Sequence, residues 1–209
     1  MVMNRSNKHT GLIIGLTGTY CAGKNYVGRL LSVRGLPVLD VDKLGHRAIE
    51  TEREAILERF GGDILGADGA IDRRLLGAKV FGNPEELAAL EGIVHPAANA
   101  MTTEWIAEQE GRPCVINAAL LHRSSVFEVL SCIILVQAPF LTRLLRAKKR
   151  DGLPLMQLLR RFWSQREFTP QYSAKIADIY VIENPGYLDP GPSVLENRIN
   201  EILSRVGMA

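Results

Sequence analysis

A glycine-bounded loop near the start of the chain constrains the fold more than any other feature. The apolar run Gly11–Thr17 predicts a strand buried on both faces, and residues 18–25, GTYCAGKN, follow it directly. They match the pattern G-x-x-x-x-G-K and depart at the next position, where Asn25 replaces the usual serine or threonine. Glycines at both ends let backbone N–H groups surround a phosphate, and a helix beginning near Lys24 adds positive potential. We therefore predict a phosphate site here, with Lys24 reaching the β- and γ-phosphates of a nucleotide.

Three features of this loop have alternative interpretations. A bare motif of this kind also occurs as a glycine-rich turn with an exposed lysine, but the order of strand, loop and helix favours phosphate binding. The hydroxyl usual at position 25 ligates Mg²⁺; because an asparagine carbonyl oxygen also ligates hard cations, Asn25 is our candidate metal ligand. Cys21 lies where positive potential lowers a thiol pKa, yet a small packing residue is the commoner role, and we assign it no chemistry.

Composition argues against several classes of protein. With 209 residues and ordinary apolar and charged contents, the chain fits one compact domain. A net charge of +2 argues against nucleic acid as the main partner. Three cysteines without metal-ligand spacing indicate a reduced, cytoplasmic compartment. The opening residues do not resemble a signal peptide and the longest apolar run, Cys132–Val136, is too short for a bilayer, so we expect no membrane partner; the oligomeric state stays open.

Four more short apolar runs predict strands. They are Leu36–Leu39, Cys114–Ala118, Ile133–Gln137 and Ile179–Ile182. Enough chain separates the runs for helical crossovers, so we predict a three-layer α/β fold with a five-stranded parallel sheet. Residues 42–112 predict helices, residues 140–168 predict a hairpin of two helices broken at Asp151–Pro154, and residues 193–206 predict a closing helix. The basic residues of the hairpin are Arg143, Arg146, Lys148, Lys149, Arg150, Arg160, Arg161 and Arg166.

Beyond the loop, a series of short blocks follows in a fixed order. They are Leu39–His46 with its D-x-D pattern, Phe60–Leu65, Asp68-Gly69, Ile71–Leu75, Val80-Phe81, His95-Pro96, Arg150–Gly152, Arg161–Gln165, Ala177-Asp178 and Ile182–Asn184. Together with the loop they resemble the dephospho-CoA kinase family, from Gly11 to about Asn184. The resemblance implies ATP-dependent phosphorylation of the ribose 3′-hydroxyl of dephospho-CoA, the last step of coenzyme A biosynthesis, with ATP and Mg²⁺.

The resemblance also implies an organisation within one kinase domain, residues 1–209. Its parts are a P-loop core of residues 11–41, 113–139 and 177–209, a helical acceptor-binding subdomain of residues 42–112 and a helical lid of residues 140–168. By the same resemblance Asp42 faces the acceptor hydroxyl as general base or orienting group. Helix capping also explains a carboxylate at this place, and we assign a capping or support role to Asp40.

Further residues receive candidate roles from the resemblance. The catalytic candidates are Asp42, Lys24 and Arg150. The nucleotide-binding candidates are Gly18, Thr19, Tyr20, Cys21, Ala22, Gly23, Lys24, Asn25, Tyr26, Arg146 and Asn184. The acceptor-binding candidates are Asp42, Arg74, His95 and Arg161. Arg73 is the alternative to Arg74 for holding a pyrophosphate, and a structural role is the alternative for His95.

The chain departs from the family pattern near the end of the third predicted strand. The family often has aspartate there, followed by proline, two leucines and glutamate, whereas this chain has Asn117 and then AALLHR. With Asn25, the usual anchors of Mg²⁺ are all changed, leaving nucleotide phosphates, water and Asp42 as ligands.

Three other functions are alternatives to a dephospho-CoA kinase. Another nucleoside or nucleotide kinase would use the same fold with a different acceptor. A non-catalytic nucleotide-binding protein is suggested by Asn25, Asn117 and Arg123. A nucleic-acid-binding module is suggested by the basic hairpin, but the modest charge and the missing aromatic platform argue against it.

Overall fold

The computed structural model describes residues 11–164, 178–186 and 192–208. In this part of the chain, five strands form one parallel sheet in the order β2-β3-β1-β4-β5. The strands are β1 Ile13–Gly18, β2 Val38–Asp40, β3 Cys114–Asn117, β4 Cys132–Gln137 and β5 Asp178–Glu183. Each of the five predicted strands is therefore confirmed, as is the α/β class with eight helices.

The central strands are buried along nearly their whole length. All four residues of β3 are buried, as are the first five of β1 and of β4. Helices cover a parallel sheet on its faces, so its inner strands are continuous apolar runs, which is why the sequence identifies them. The parallel register pairs Leu16 with Asn117 and Gly18 with Val136, so the carboxyl ends of β1, β3 and β4 lie at one edge of the sheet.

Eight helices of the described part of the chain lie between or after the strands. They are α1 Lys24–Val33, α2 Val41–Thr51, α3 Arg53–Phe60, α4 Arg73–Val80, α5 Pro84–Glu108, α6 Phe140–Asp151, α7 Leu155–Ser164 and α8 Pro192–Arg205. Short 3₁₀ turns occur at Gly62–Ile64, Leu121–Arg123 and Ser125–Val129. Among these helices, none combines the length and apolar character that crossing a bilayer requires.

The chain forms two compact units. One comprises Met1–Leu39 with Gln109–Ala209, and the other comprises Asp40–Glu108. In the first, α1 and α8 contribute Leu31 and Ile199 to a core that includes Ile14 and Ile134 of the sheet. The second unit has its own core.

The second unit is helical, as the sequence predicts for residues 42–112. Its core contains Ile56, Leu76 and Val94 from three different helices. One isolated antiparallel bridge joins Leu65 and Ile71. That this unit binds the acceptor stays a prediction.

The predicted break in the basic hairpin is confirmed. Helix α6 ends at Asp151, Gly152 adopts φ 63 in the left-handed region, and α7 begins after Pro154. A glycine at this position ends a helix without the steric cost that a Cβ atom brings. The predicted hairpin residues Gln165, Arg166 and Phe168, together with Ala177 of the matched blocks, lie outside the described residues.

Candidate active site

The two glycines of the phosphate loop are required for different structural reasons. At Gly18, a Cβ atom would lie 2.7 Å from the carbonyl oxygen of Val136 in β4, so a side chain there would push the loop away from the sheet. Gly23 has φ 97 and forms the N-cap of α1, and Cys21 also has positive φ, at 59. Left-handed residues among ordinary ones turn the backbone so that N–H groups converge, as in known anion-binding loops.

Some of the loop's amides shape the loop itself. The N–H of Thr19 donates to the carbonyl of Val136 at 3.2 Å, and the N–H of Ala22 donates to the carbonyl of Thr19 at 2.9 Å. These two amides are therefore engaged within the protein, so the predicted contact between the loop's N–H groups and a phosphate falls to other amides of the loop. Lys24 is the first residue of α1, as the sequence predicts.

Arg146 and Asn184 contact the carbonyl oxygens of the loop. Arg146 Nη1 donates to the carbonyl of Ala22 at 3.0 Å and of Cys21 at 3.4 Å, while its Nη2 donates to Asn184 Oδ1 at 3.1 Å. Asn184 Nδ2 also donates to the carbonyl of Ala22, at 2.8 Å. Both side chains were candidates for direct nucleotide contact, and that contact stays a prediction.

The catalytic candidate Arg150 and the acceptor-binding candidate Arg161 both contact the carboxylate of Asp151, which was not among the predicted site residues. Arg150 Nε donates to Asp151 Oδ1 at 2.7 Å, and Arg161 Nη1 donates to Asp151 Oδ2 at 3.3 Å and to the Tyr20 hydroxyl oxygen at 3.4 Å. The Tyr20 hydroxyl donates to Asp151 Oδ2, and the Arg150 guanidinium lies 5.1 Å from the centre of the Tyr20 ring. Asp151 thus joins α6 and α7 to the phosphate loop.

This network changes the ionisation of its members. The hydrogen bond from Arg150 lowers the pKa of Asp151 to about 2. Burial, and then the hydrogen bond with Asp151, raises the pKa of Tyr20. Asp151 is therefore a carboxylate at neutral pH that neutralises part of the positive charge of Arg150 and Arg161.

We expect the Asp151 network to lose its stabilising effect in acid. The folded pKa of about 2 lies below the ordinary value of 3.8, so the contribution is complete above 3.8 and is lost as the pH falls towards 2. With the Asp151 side chain 15% exposed, we discount the effect for solvent screening to roughly 1 kcal/mol of the free energy of unfolding at neutral pH.

Urea unfolding of the Asp151→Asn variant measures this contribution. The variant should lose about 1 kcal/mol at pH 7 and less at pH 3. The matched control is Glu58→Gln on an exposed part of α3. An equal loss for Asp151→Asn at both pH values would show that ionisation of this group does not stabilise the fold.

The two asparagines that depart from the family pattern are in contact. Asn117 Nδ2 donates to Asn25 Oδ1 at 3.2 Å, which joins the end of β3 to the first turn of α1. Asn117 is 3% exposed, and its Oδ1 is buried without a hydrogen-bond partner in the described part of the chain. The oxygen of Asn25 proposed for a metal is therefore engaged by an amide. Within the described ranges, no group of three or more His, Cys, Asp or Glu side chains could hold a metal ion.

Cys21 has a packing role. Its side chain contributes to a small apolar cluster with Leu158 and Phe162 of α7. Burial raises the pKa of its thiol. The alternative interpretation, in which the positive potential of the loop lowers the pKa of Cys21, is therefore wrong. The same cluster includes Tyr20, whose ring packs edge-on against Phe162 with centroids 5.2 Å apart.

Three of the four acceptor-binding candidates lie in the second unit, whereas Arg161 lies in the first. Asp42 is exposed in the first turn of α2, where the helix dipole favours a carboxylate. Arg74 is exposed near the start of α4, and His95 is exposed in α5, directly before Pro96.

Of the two roles predicted for Asp40, capping or support, the structure contradicts capping. Asp40 occupies the N-cap position of α2, but its side chain makes no capping hydrogen bond, and its Oδ1 is buried without a partner in the described residues. Asp72 is the capping carboxylate of this unit instead. It accepts from the N–H groups of Arg74 at 2.8 Å and Leu75 at 3.3 Å at the start of α4.

The chain is similar to known proteins over most of its length. A protein-family model described as dephospho-CoA kinase matches residues 12–189. The dephospho-CoA kinase of Treponema pallidum is 33% identical over 206 residues, which cover 94% of this chain and 96% of that protein. A solved Thermus thermophilus structure is 33% identical with a TM-score of 0.77, covering 94% of this chain and 98% of that one. A dephospho-CoA kinase structure from Campylobacter jejuni, 22% identical with a TM-score of 0.64, covers 96% of this chain and 100% of that one and shares the fold. The chain belongs to the dephospho-CoA kinase family.

Proposed function

We propose that this protein transfers the γ-phosphoryl group of ATP to the ribose 3′-hydroxyl of dephospho-CoA, which yields CoA and ADP. The observation that carries the proposal is the loop at residues 18–25, built at the carboxyl end of β1 and opening α1 at Lys24, in a chain that the family model matches at residues 12–189. A loop of this geometry at this edge of a parallel sheet is a site for nucleotide phosphates.

The residues of the chain act by position and charge. Phosphoryl transfer passes through a loose, highly charged transition state, so catalysis consists mainly of alignment and electrostatic stabilisation. Lys24 supplies a positive charge at the loop, and Arg150 supplies a second from the end of α6. Asp42 accepts the proton of the acceptor hydroxyl, or orients that hydroxyl for attack. Binding of the acceptor by Arg74, His95 and Arg161 is part of the same proposal.

The family implies Mg²⁺ with ATP, and in this chain two of the usual protein anchors of the metal are replaced by the neutral side chains of Asn25 and Asn117. The Oδ1 atom of Asn25 already accepts a hydrogen bond from Asn117. Asn117 is neutral, and it stands where the family often has an aspartate. Magnesium ions keep several waters and bind chiefly to nucleotide phosphates. This chain is therefore compatible with a metal ion that binds together with the nucleotide and is held by its phosphates.

A coupled assay of ADP release tests the proposal. With ATP, Mg²⁺ and dephospho-CoA, we expect turnover that depends on the acceptor. A panel of adenosine, shikimate and nucleoside monophosphates, each replacing dephospho-CoA, distinguishes a kinase of the same fold that uses another acceptor. If ATP binds but no acceptor is phosphorylated at any metal concentration, the proposal fails and a non-catalytic nucleotide-binding protein is favoured.

A further inference from the structure

The phosphate loop is held from outside by two elements that are also bonded to each other. Asn184 follows β5, and its backbone N–H donates to the carbonyl of Gln137 at the end of β4, at 2.8 Å. On α6, the Thr142 hydroxyl donates to the carbonyl of Pro185 at 3.2 Å. The Arg146 and Asn184 side chains that reach the loop therefore start from backbone that is itself fixed at the sheet edge.

Two glycines make the close approach of these side chains possible. A Cβ atom on Gly23 would lie 2.3 Å from Asn184 Nδ2, and one on Gly186 would lie 2.6 Å from Arg146 Nη2. Asn184 is 6% exposed, so its amide is enclosed between these partners. The contacts of Asn184 and Arg146 with the loop therefore depend on the backbone lacking a Cβ atom at these two glycines. They differ in this from a surface hydrogen bond between flexible side chains.

We infer that Asn184 and Arg146 are positioning residues that hold the phosphate loop in its binding conformation. Both donate to the carbonyl of Ala22, and this fixes the orientation of the peptide unit between Ala22 and Gly23. In a planar trans peptide the C=O and the following N–H point in opposite directions. With the Ala22 carbonyl directed at Asn184, the N–H of Gly23 is directed to the opposite side of the loop, where it is available to a phosphate.

This inference rests on the proposed binding of ATP at the loop, and it differs from direct contact with the nucleotide. A residue that acts through the loop affects every ligand that uses the phosphate cradle. A residue that contacts the base or ribose affects only ligands that carry them. Inorganic tripolyphosphate, which has the phosphate chain without the nucleoside, therefore separates the two roles.

Calorimetric titration with ATP and with tripolyphosphate tests the role of Asn184. We expect Asn184→Ala to lower the affinity for both ligands by the same factor, about tenfold, because one hydrogen bond that orders the loop is lost. Loss of affinity for ATP alone, with tripolyphosphate unaffected, would show direct nucleoside contact and overturn the inference.

Arg146→Lys provides a second variant that keeps the positive charge. Lysine cannot donate to the Ala22 carbonyl and to Asn184 Oδ1 with the planar fork that arginine offers. We therefore expect Arg146→Lys to lower the affinity for tripolyphosphate nearly as much as Arg146→Ala does. Full affinity in Arg146→Lys would mean that charge alone matters, which contradicts the bridging role.

The control is Lys149→Ala on the exposed part of α6, which should bind both ligands like the unmodified protein. Circular dichroism and thermal unfolding verify that each variant keeps its fold. In the unmodified protein, binding of ATP without binding of tripolyphosphate would overturn this inference and leave the proposed function standing. Binding of neither would overturn both.

Discussion

Asp42→Asn is expected to fold, to bind ATP with the affinity of the unmodified protein, and to lose at least about a hundredfold in kcat with dephospho-CoA. Asparagine has nearly the shape of aspartate but cannot accept the proton of the acceptor hydroxyl. Asp42 lies in the first turn of α2, where loss of the negative charge costs only about 0.3–1 kcal/mol through the helix dipole. The effect on turnover should therefore far exceed the effect on stability.

Steady-state kinetics and thermal unfolding of the same preparation measure the two effects. The matched control is Glu50→Gln, an exposed carboxylate on the same helix, which should leave kcat unchanged. Turnover of Asp42→Asn close to that of the unmodified protein would remove Asp42 from the chemistry.

The sheet was predictable because burial on both faces leaves a clear mark on the sequence. The runs that contain Ile14, Ile116 and Ile134 are apolar over most of their length, and each is a strand. The break between α6 and α7 was equally clear, since glycine and proline stand together there and neither continues a helix. Such signals are local, so one sequence is enough to find them.

The contacts of the site were less predictable because they join distant positions. Asn25 and Asn117 are 92 positions apart, and nothing local in the sequence indicates that their side chains are in contact. The structure makes them one hydrogen-bonded pair. Likewise, Asp151 follows Arg150 in the sequence, but nothing local indicates that its carboxylate also accepts from Tyr20, 131 positions away.

Helix capping shows that even local patterns can mislead. Asp40 and Asp72 both stand directly before a helix, so the sequence favours capping equally for each. Only Asp72 directs an oxygen at the N–H groups of the first turn. The orientation of the side chain decides the role, and this depends on packing that the sequence does not display.

The loop lysine carries the largest expected effect on nucleotide binding. Lys24 is the first residue of α1, and its ammonium group is assigned to the β- and γ-phosphates. Lys24→Met keeps the length and helix propensity of the side chain and removes its charge. We expect kcat to fall by about 10²–10³ and the affinity for ATP to fall about tenfold or more, because the charge interacts most strongly with the phosphates in the transition state.

Isothermal titration with ATP and AMP, together with single-turnover kinetics, separates these effects. AMP lacks the β- and γ-phosphates, so its affinity should change little in Lys24→Met while that of ATP falls. Lys149→Met, at an exposed position of α6, is the matched control for loss of a lysine charge. Equal losses for ATP and AMP would mean that the substitution disturbs the loop itself, whereas unchanged turnover would show that residues 18–25 do not hold the reacting phosphate.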